Sequence, residues 1–353
     1  MATIDLTSDI VTLTAALIDI ASESLQEQEI ADAVESALQP LDHLEVVRDG
    51  NTIVARTALG RPERVVIAGH LDTVPANDNF PSRLDGDVLF GLGSCDMKGG
   101  VAVALLLAAT VPDPVRDVTY VFYDGEEIAA EHNGLGRLAR ERPELLAGDF
   151  AILMEPSDAG VEAGCQGTMR VEIRTTGERA HSARSWMGSN AIHALSPVLE
   201  TLTTYTAREV EIDGLVYREG LNAVGIRGGV AGNVVPDEAV VTVNYRFAPD
   251  RSEEQAHQHL QDVFAGFELT ITDSAPGALP GLSRPAAAAF VTAVGAQPRP
   301  KFGWTDVAQF TQLGIPAVNY GPGDPIYAHK ADEQVPVEHL HRVHETLTRW
   351  LQT

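Results

Sequence analysis

Polar side chains that can bind metal ions or move protons follow four apolar runs of the sequence, each where the run ends. In an open α/β sheet the ligand crevice lies beyond the carboxyl ends of the strands, so we expect these side chains to lie close together in space. The runs and the polar residues after them are 65–68 with His70 and Asp72, 118–123 with Glu126 and Glu127, 150–154 with Glu155, and 316–320 with His329.

A glycine-rich segment at residues 91–100 contributes a further carboxylate, Asp96, just before an apolar helix predicted over 101–109. A phosphate-binding loop is the alternative interpretation, but neither the GxGxxG nor the GxxxxGK[ST] spacing is present. Glycines allow the backbone to fold tightly around a residue. We therefore expect the segment to hold the Asp96 carboxylate close to a cation.

None of these features is specific when taken alone. His70 with Asp72 also suits a surface histidine beside a turn cap, and Glu126 with Glu127 also suits an acidic turn in solvent. Taken together, two imidazoles and three carboxylates without a thiolate suit a pair of divalent ions about 3.5–4 Å apart, bridged by one carboxylate. We expect zinc to be the bound metal, with cobalt or manganese as substitutes. The expected ligands are His70, Asp96, Glu127, Glu155 and His329.

Two carboxylates beside these ligands are left for other roles. Glu126 is adjacent to a ligand in the chain and is expected to take a proton from the attacking water. Asp72 is expected to orient the His70 ring, as groups around metal ligands commonly do. Paired glutamates at the end of an apolar strand repel each other unless something cationic compensates them.

The elements that must position these residues are those of an α/β protein. Short apolar runs alternate with helical segments, which predicts a doubly wound domain with a mixed, mostly parallel sheet. From Thr168 to about Ile271 the strands alternate as in a sheet exposed on one face, which predicts a smaller α+β domain inserted into the first. The predicted catalytic domain covers 1–167 and 279–353, and the insert covers 168–278.

Composition excludes several classes of protein. The chain has 353 residues, 44% of them hydrophobic and 21% charged, which is the balance of a globular protein. Its formal charge of −25 disfavours nucleic acid and membrane partners. The two cysteines, Cys95 and Cys165, are too few for a disulfide framework and are expected to be packing residues, so we expect a cytoplasmic location.

The N-terminal stretch, residues 1–24, lacks the basic segment and the continuous apolar run of a signal peptide and is interpreted as an amphipathic helix. Nowhere does the chain approach the run of roughly 20 apolar residues that a membrane span needs. A soluble protein is therefore expected.

The motifs resemble those of the M20 metallopeptidase and deacylase family, in the same order and over nearly the whole chain. The resemblance implies that His70 and Glu155 hold one zinc ion, that Glu127 and His329 hold the other with Asp96 bridging, that Glu126 is the general acid and base, and that the inserted lid domain forms a homodimer. The matching motifs are His70-x-Asp72, Gly-x-Gly-x-x-Asp96-Met-Lys-Gly, Glu126-Glu127, Glu155-Pro156 and Ala328-His329.

Four later motifs, at residues 181–184, 232–237, 244–247 and 303–306, are most similar to those of actinobacterial members that remove succinate from N-succinyl-LL-2,6-diaminopimelate in lysine synthesis. The resemblance implies that His181 of one subunit stabilises the oxyanion in the other subunit's site, and that Asn233 reaches the same site. It also implies that Arg246 holds a substrate carboxylate, with Arg184 and Thr305 near the substrate. The residues alone equally suit a surface histidine at 181 and a strand arginine in a salt bridge at 246.

Alternative substrates stay open because two positions differ from better-known family members. Gln166 and Gln309 stand where basic residues are common around the acyl group. An acetylornithine deacetylase, another N-acyl amino acid hydrolase or a dipeptidase would keep the chemistry and change the substrate. A catalytically inactive relative that binds a small anion or a partner protein would keep only the fold. The intact Glu126 and ligand set argue against this alternative.

Overall fold

The computed structural model describes residues 2–353, and these form two compact units. The first unit contains residues 2–163, 280–299 and 306–353, and the second contains residues 164–279 and 300–305. Residues 164–167, 279 and 300–305 thus group with the second unit, whereas the sequence interpretation assigns them to the first domain. The functional division into a catalytic domain and a dimerisation domain stays a prediction.

Ten α-helices and four short 3-10 turns are present among the described residues. The helices are α1 (Ile10–Ile18), α2 (Gln28–Leu38), α3 (Lys98–Thr110), α4 (Gly134–Glu141), α5 (Ala191–Ala194), α6 (Ser196–Thr204), α7 (Glu253–Val263), α8 (Pro285–Val294), α9 (Val307–Gln312) and α10 (Val337–Gln352), and the 3-10 turns are Ala130–His132, Pro143–Leu145, Ser182–Met187 and Pro325–Tyr327.

Nineteen strands complete the described structure. They are β1 (Glu45–Asp49), β2 (Thr52–Arg56), β3 (Arg64–His70), β4 (Arg83–Asp85), β5 (Val88–Phe90), β6 (Asp117–Tyr123), β7 (Phe150–Pro156), β8 (Glu162–Ala163), β9 (Gly167–Thr176), β10 (Ala180–His181), β11 (Glu209–Ile212), β12 (Leu215–Arg218), β13 (Gly220–Gly228), β14 (Val234–Val235), β15 (Glu238–Phe247), β16 (Leu269–Ala275), β17 (Arg299–Pro300), β18 (Ala317–Gly321) and β19 (Gln334–Pro336).

The main sheet of the first unit has eight strands in the order β1-β2-β6-β3-β7-β18-β8-β17. Its four central strands, β6, β3, β7 and β18, run parallel to one another, whereas β2 and β8 pair antiparallel to their neighbours. The central strands are buried along almost their whole length, as continuous apolar runs in a parallel sheet require. The predicted α/β class with a mixed sheet is confirmed.

Helices cover this sheet in two groups. The apolar helix α3 packs on β3, β6 and β7 and contacts α1, α2 and α10, whereas α9 packs on β7 and β18 and contacts α4. Every residue of α3 from Lys98 to Ala108 is buried, so this helix is the centre of its layer. It begins directly after the Asp96 segment, and its packing therefore fixes where that segment lies.

The second unit contains a four-stranded antiparallel sheet in the order β13-β15-β9-β16. Along β9, Met169, Val171 and Ile173 are buried, whereas Arg170 and Arg174 between and after them are exposed. The buried face packs with α5, α6 and α7 into one apolar core. The predicted α+β unit with one polar sheet face is confirmed by this alternation.

The N-terminal helix is shorter than the sequence interpretation implied. Helix α1 covers Ile10–Ile18 only, because the Asp9 side chain accepts hydrogen bonds from the backbone N–H groups of Val11 and Thr12 and starts the helix there. Among residues 2–353, none of the helices combines the length and the apolar composition that crossing a bilayer requires.

Candidate metal centre

The ends of the four central strands of the main sheet bring the predicted site residues to one edge. His70 pairs with Tyr123 in the register of β3 and β6, so the glutamates that follow β6 begin beside His70. Ala68 pairs with Leu153 in β7, which brings Glu155 to the same level of the sheet two residues later. Residues more than 80 positions apart in the chain therefore meet because their strands are parallel neighbours.

Asp96 lies between the two imidazoles. The Nε2 atom of His70 is 3.3 Å from Oδ1 of Asp96, and the Nε2 atom of His329 is 3.4 Å from Oδ2. His70 is fully buried, whereas the His329 side chain is 51% exposed, so the cluster reaches from the core to the surface. A carboxylate with one oxygen facing each imidazole has the arrangement of a bridging ligand.

Two further carboxylates lie at this edge of the sheet. Oε1 of Glu127 lies 2.8 Å from Nε2 of His329, and Glu127 is 8% exposed. One potential ligand atom from each of His70, Asp96 and Glu127 lies within 4.8 Å of the others, which is close enough to bind a single ion together. Glu155 is buried at the end of β7, and its charge acts on Glu126.

Asp72 makes contacts that differ from those predicted. The acceptor nearest to Nδ1 of His70 is the Asp72 carbonyl oxygen at 3.0 Å, and the Asp72 carboxylate is farther away at 3.5 Å. The two carboxylate oxygens instead accept hydrogen bonds from the backbone N–H groups of Glu126 and Glu127, each at 3.0 Å, and Ser24 donates to one of them at 2.7 Å. The carbonyl oxygen of Asp72 is thus the nearest group to the imidazole nitrogen, and the Asp72 carboxylate also binds the backbone of the glutamate pair.

Local backbone conformation explains why glycines surround the site. Gly93 has a φ of +77°, and a Cβ atom there would lie 2.9 Å from Cγ2 of Thr73. Gly125, just before the glutamate pair, has a φ of +69°, and a Cβ atom there would lie 2.4 Å from the His132 carbonyl oxygen. Both positions therefore require glycine for conformation and for space. His329 itself has a φ of +63°, a conformation that a non-glycine residue keeps only where its surroundings hold it.

The electrostatics of the cluster show an excess of negative charge. Hydrogen bonds to Asp96 and Glu127 raise the pKa of His329 to about 10. Burial acts to lower the pKa of His70, but Asp96, Asp72 and Glu126 outweigh it and raise that pKa well above its usual value. Burial would raise the pKa of Asp96, yet the two imidazoles leave it below the ordinary range. The carboxylates around the two imidazoles therefore strongly favour positive charge at this position.

The pKa of Glu126 is shifted in the opposite direction from that of Asp96. Burial raises the pKa of its carboxyl group well above the usual value, and although His70 lowers it, the charges of Glu155 and Asp306 add to the rise. Asp306 is itself fully buried and accepts a hydrogen bond from Nδ2 of Asn133 at 2.8 Å. A carboxyl group in such surroundings can both accept and release a proton.

The chemistry of this donor set fits divalent cations. Imidazole nitrogens and carboxylate oxygens are ligands that zinc, cobalt and manganese accept. The carboxylates of the cluster favour positive charge beside them, and divalent cations would supply that charge. The described residues therefore form a possible metal site with nitrogen and oxygen ligands.

The remaining predicted residues belong to the second unit. His181 in β10 pairs with Val234 in β14, and Ser182 donates to the Asn233 carbonyl oxygen, so His181 and Asn233 are neighbours. Arg184 is exposed, and Thr305 is buried. Gln166 donates through Nε2 to the Arg218 carbonyl oxygen at 2.7 Å.

Arg246 lies on the polar face of the second unit's sheet, between the buried Tyr245 and Phe247. Burial lowers the pKa of its guanidinium group, and Arg170 lowers it further. Within residues 2–353, no carboxylate lies within 4.0 Å of this guanidinium group, whereas Arg174 on the same sheet pairs with Glu238. The salt-bridge interpretation of Arg246 is therefore wrong.

Sequence reasoning missed one residue that contacts the site. Glu333 is almost fully buried and accepts hydrogen bonds from the backbone around Asp96. Its signal in the sequence was an acidic residue four positions after His329 and just before the short strand β19. An acidic residue in a loop is normally exposed, so the sequence alone gave no reason to select it.

Comparisons with known proteins agree with this geometry. Residues 66–353 match the family described as Peptidase family M20/M25/M40. The chain is 58% identical over 351 residues, 99% of both chains, to the "Putative succinyl-diaminopimelate desuccinylase DapE" of Mycobacterium tuberculosis (strain CDC 1551 / Oshkosh). It is 47% identical over 359 residues, 99% of this chain and 97% of the relative, to the succinyl-diaminopimelate desuccinylase of Corynebacterium glutamicum.

Among solved structures, the fold is similar to that of the Bacillus subtilis YXEP protein, a dinuclear metal binding peptidase from the M20 family. The TM-score is 0.72 at 19% identity, over 97% of this chain and 96% of that one. Identity at this level supports the fold and does not by itself transfer an activity.

The cluster predicts that divalent cations stabilise the folded protein. A cation that binds only the folded state at about 100 times its dissociation constant adds about 2.7 kcal/mol to the free energy of unfolding. We expect added zinc to raise the melting temperature of chelator-treated protein, and Asp96→Asn to abolish most of that rise. Thermal unfolding followed by circular dichroism measures both.

Asp113→Asn is the matched control, because Asp113 is an exposed carboxylate in an ion pair with Arg61. This variant is expected to respond to zinc as the unaltered protein does. An unchanged melting temperature with zinc, or an equal rise in Asp96→Asn, would show that the cluster is not a metal site.

Proposed function

We propose that this chain, which belongs to peptidase family M20/M25/M40, hydrolyses the amide bond of N-succinyl-LL-2,6-diaminopimelate to succinate and LL-2,6-diaminopimelate. The observation that carries the substrate is 58% identity over 99% of both chains to a relative of that printed name. The two cysteines, both free and buried, agree with a cytoplasmic location.

The proposed cofactor is a pair of zinc ions. His70 and Glu155 would hold one ion, Glu127 and His329 the other, and Asp96 would bridge them. When bound, such ions polarise the amide carbonyl group and lower the pKa of the attacking water. The support from this chain is that Asp96 faces both imidazoles within 3.4 Å.

Glu126 is the proposed general acid and base. Its backbone N–H group donates a hydrogen bond to Asp72, and burial, together with the charges of Glu155 and Asp306, raises the pKa of its carboxyl group well above the usual value. Glu126 takes a proton from the attacking water and then delivers it to the leaving nitrogen atom. One carboxyl group performs both transfers because the second returns it to its starting state.

His181 is proposed to stabilise the oxyanion, acting from one subunit of a homodimer on the site of the other. Its Nδ1 atom accepts a hydrogen bond from the Ala183 backbone N–H at 3.0 Å. In a neutral imidazole the proton is then on Nε2, which leaves an N–H donor directed away from the backbone. Such a donor is what a developing oxyanion requires.

Arg246 is proposed to bind a carboxylate of the substrate. The substrate carries several carboxylates, and a guanidinium group binds a carboxylate through two parallel hydrogen bonds. Arg246 is half-buried and has no carboxylate partner within residues 2–353, so it is available for one. Gln166 is bound to backbone, so the positive charge at the acyl group has to come from arginines such as Arg246 and Arg184.

The substrate proposal predicts a clear order of activity. With zinc present, we expect kcat/KM for N-succinyl-LL-2,6-diaminopimelate to exceed that for the N-acetyl analogue by at least about 100-fold, because the analogue leaves the carboxylate-binding groups unpaired. Steady-state kinetics on N-succinyl, N-acetyl and dipeptide substrates measure this order. A preference for acetyl or peptide substrates would show that the chain catalyses the same amide hydrolysis on a different substrate.

Glu126→Gln is predicted to separate metal binding from catalysis. Glutamine has the same shape but cannot accept the proton, so kcat is expected to fall by about 10²–10⁴-fold while metal content stays the same. Metal analysis and steady-state kinetics on the same preparation give both quantities. Glu131→Gln, a nearby exposed glutamate, is the control and keeps full activity. Full activity in Glu126→Gln would rule out the assigned role.

Arg246→Ala is predicted to weaken substrate binding. Loss of a charged hydrogen bond of about 1.5–3 kcal/mol corresponds to a rise in KM of about tenfold or more, with a smaller change in kcat. Arg174→Ala removes an arginine from the same sheet that is already paired with Glu238, and it is expected to leave KM unchanged. An unchanged KM in Arg246→Ala would refute the proposed contact.

A further inference from the structure

We propose that Glu333 is a positioning residue, which holds the bridging carboxylate Asp96 and the loop of His329 in one fixed arrangement. The proposal rests on the metal centre given under the proposed function. It concerns a residue outside the predicted ligand set, and it follows from hydrogen bonds that join two segments 237 positions apart in the chain.

Glu333 binds the backbone of the Asp96 segment with both carboxylate oxygens. Oε2 accepts a hydrogen bond from the Gly93 N–H at 3.0 Å, and Oε1 accepts from the N–H groups of Cys95 and Asp96, each at 3.2 Å. The Cys95 thiol also lies 3.6 Å from Oε1. Every one of these contacts is a donor facing an acceptor, so the two carboxylate oxygens satisfy the whole turn.

These donors have no helix or strand to bind them. The segment lies just before α3, whose first residues lack a side-chain cap, and Gly93 and Cys95 are buried. A buried backbone N–H without an acceptor is unfavourable, because it has lost its hydrogen bond to water and gained none in the protein. Without Glu333, three such groups in four residues would be left unsatisfied, and the backbone that aims Asp96 would be free to move.

The same residue belongs to the loop of His329. The Glu333 N–H donates to the Lys330 carbonyl oxygen at 3.1 Å, which closes a turn directly after His329. The Glu333 carbonyl oxygen in turn accepts from the Gly91 N–H at 3.1 Å, and Asn79 donates to the Lys330 carbonyl oxygen at 3.1 Å. Backbone and side chain of Glu333 thus both bind the Asp96 segment.

The metal site requires this precision because each Asp96 oxygen faces a different imidazole. Both separations, 3.3 Å and 3.4 Å, depend on the position of the Asp96 backbone and on that of the His329 loop. A ligand set works only when it is held to within about 0.5 Å. Glu333 is the side chain that connects those two backbones directly.

Glu333→Gln tests the proposal. The side-chain amide of glutamine has one acceptor oxygen and one donor NH2 group. Because both oxygens of Glu333 accept from backbone N–H groups, the NH2 group of glutamine would face donors instead of acceptors. We expect the dissociation constant for zinc to rise by about 10–100-fold, as when groups that orient metal ligands are removed. At a fixed zinc concentration, kcat is expected to fall while KM stays close to the unaltered value. Isothermal titration calorimetry on chelator-treated protein and steady-state kinetics measure these changes.

The absorption spectrum of the cobalt-loaded protein is a measurement that a loss of stability alone would not change. The visible absorption of the cobalt-loaded protein reports the geometry of the ligands, and we expect its band positions to differ between Glu333→Gln and the unaltered protein. If Glu333→Gln does not fold, Glu333→Asp carries the same test, because aspartate keeps the charge but is too short to reach all three N–H groups.

Asp117→Asn is the matched control. Asp117 is equally buried and accepts hydrogen bonds from the backbone N–H groups of Leu59 and Arg61, but it lies at the opposite end of its strand, β6. We expect Asp117→Asn to lower the melting temperature without changing zinc affinity or the cobalt spectrum.

Equal loss of zinc affinity in Glu333→Gln and Asp117→Asn would overturn the proposal, as would unaltered zinc affinity and cobalt bands in Glu333→Gln. If the unaltered protein binds zinc but does not hydrolyse the succinyl substrate, the proposed substrate fails while the test of Glu333 stands. Absence of zinc binding by the unaltered protein would overturn both.

Discussion

Repulsion among buried carboxylates is the constraint on which the rest of this site depends. Asp72, Asp96, Glu126, Glu127 and Glu155 lie at one edge of the main sheet with only two imidazoles among them. Such an arrangement is unfavourable unless positive charge enters it, because removing a carboxylate from water costs several kcal/mol when nothing compensates it. The raised pKa values of both histidines show how strongly these carboxylates favour positive charge beside them. Divalent cations would supply this positive charge and would also act on a substrate.

Much of this arrangement could be predicted from the sequence because parallel strands impose it. Apolar runs that end in His70, Glu126, Glu155 and a loop with His329 are readable in the sequence, and a doubly wound sheet leaves one edge at which they can meet. The order β6-β3-β7-β18 makes all four runs direct neighbours. The resemblance to a known family added the separate roles of the ligands. The positions of these residues at strand ends could not distinguish those roles.

Other contacts could not be predicted because they depend on backbone rather than on residue type. The Asp72 carboxylate lies beside the His70 ring, but its oxygens also accept hydrogen bonds from the N–H groups of the glutamate pair, and only the conformation of the loop after β6 decides this. Glu333 looked like an ordinary loop carboxylate until the turn after His329 placed it beneath Gly93 and Asp96. Hydrogen bonds from side chains to distant backbone leave no periodic pattern in a sequence.

The net negative charge of the chain limits how an anionic substrate could be recognised. The chain carries a formal charge of −25, and at physiological ionic strength charges are screened beyond about 8 Å. General attraction therefore cannot bring a substrate with several carboxylates to this protein, and nearby positive groups have to do so. The first unit concentrates carboxylates at its site, whereas the second unit carries an arginine, Arg246, that lacks a carboxylate partner within residues 2–353. A half-buried guanidinium group without a carboxylate beside it is unfavourable, and the proposed role of Arg246 would supply that partner in the form of a substrate carboxylate.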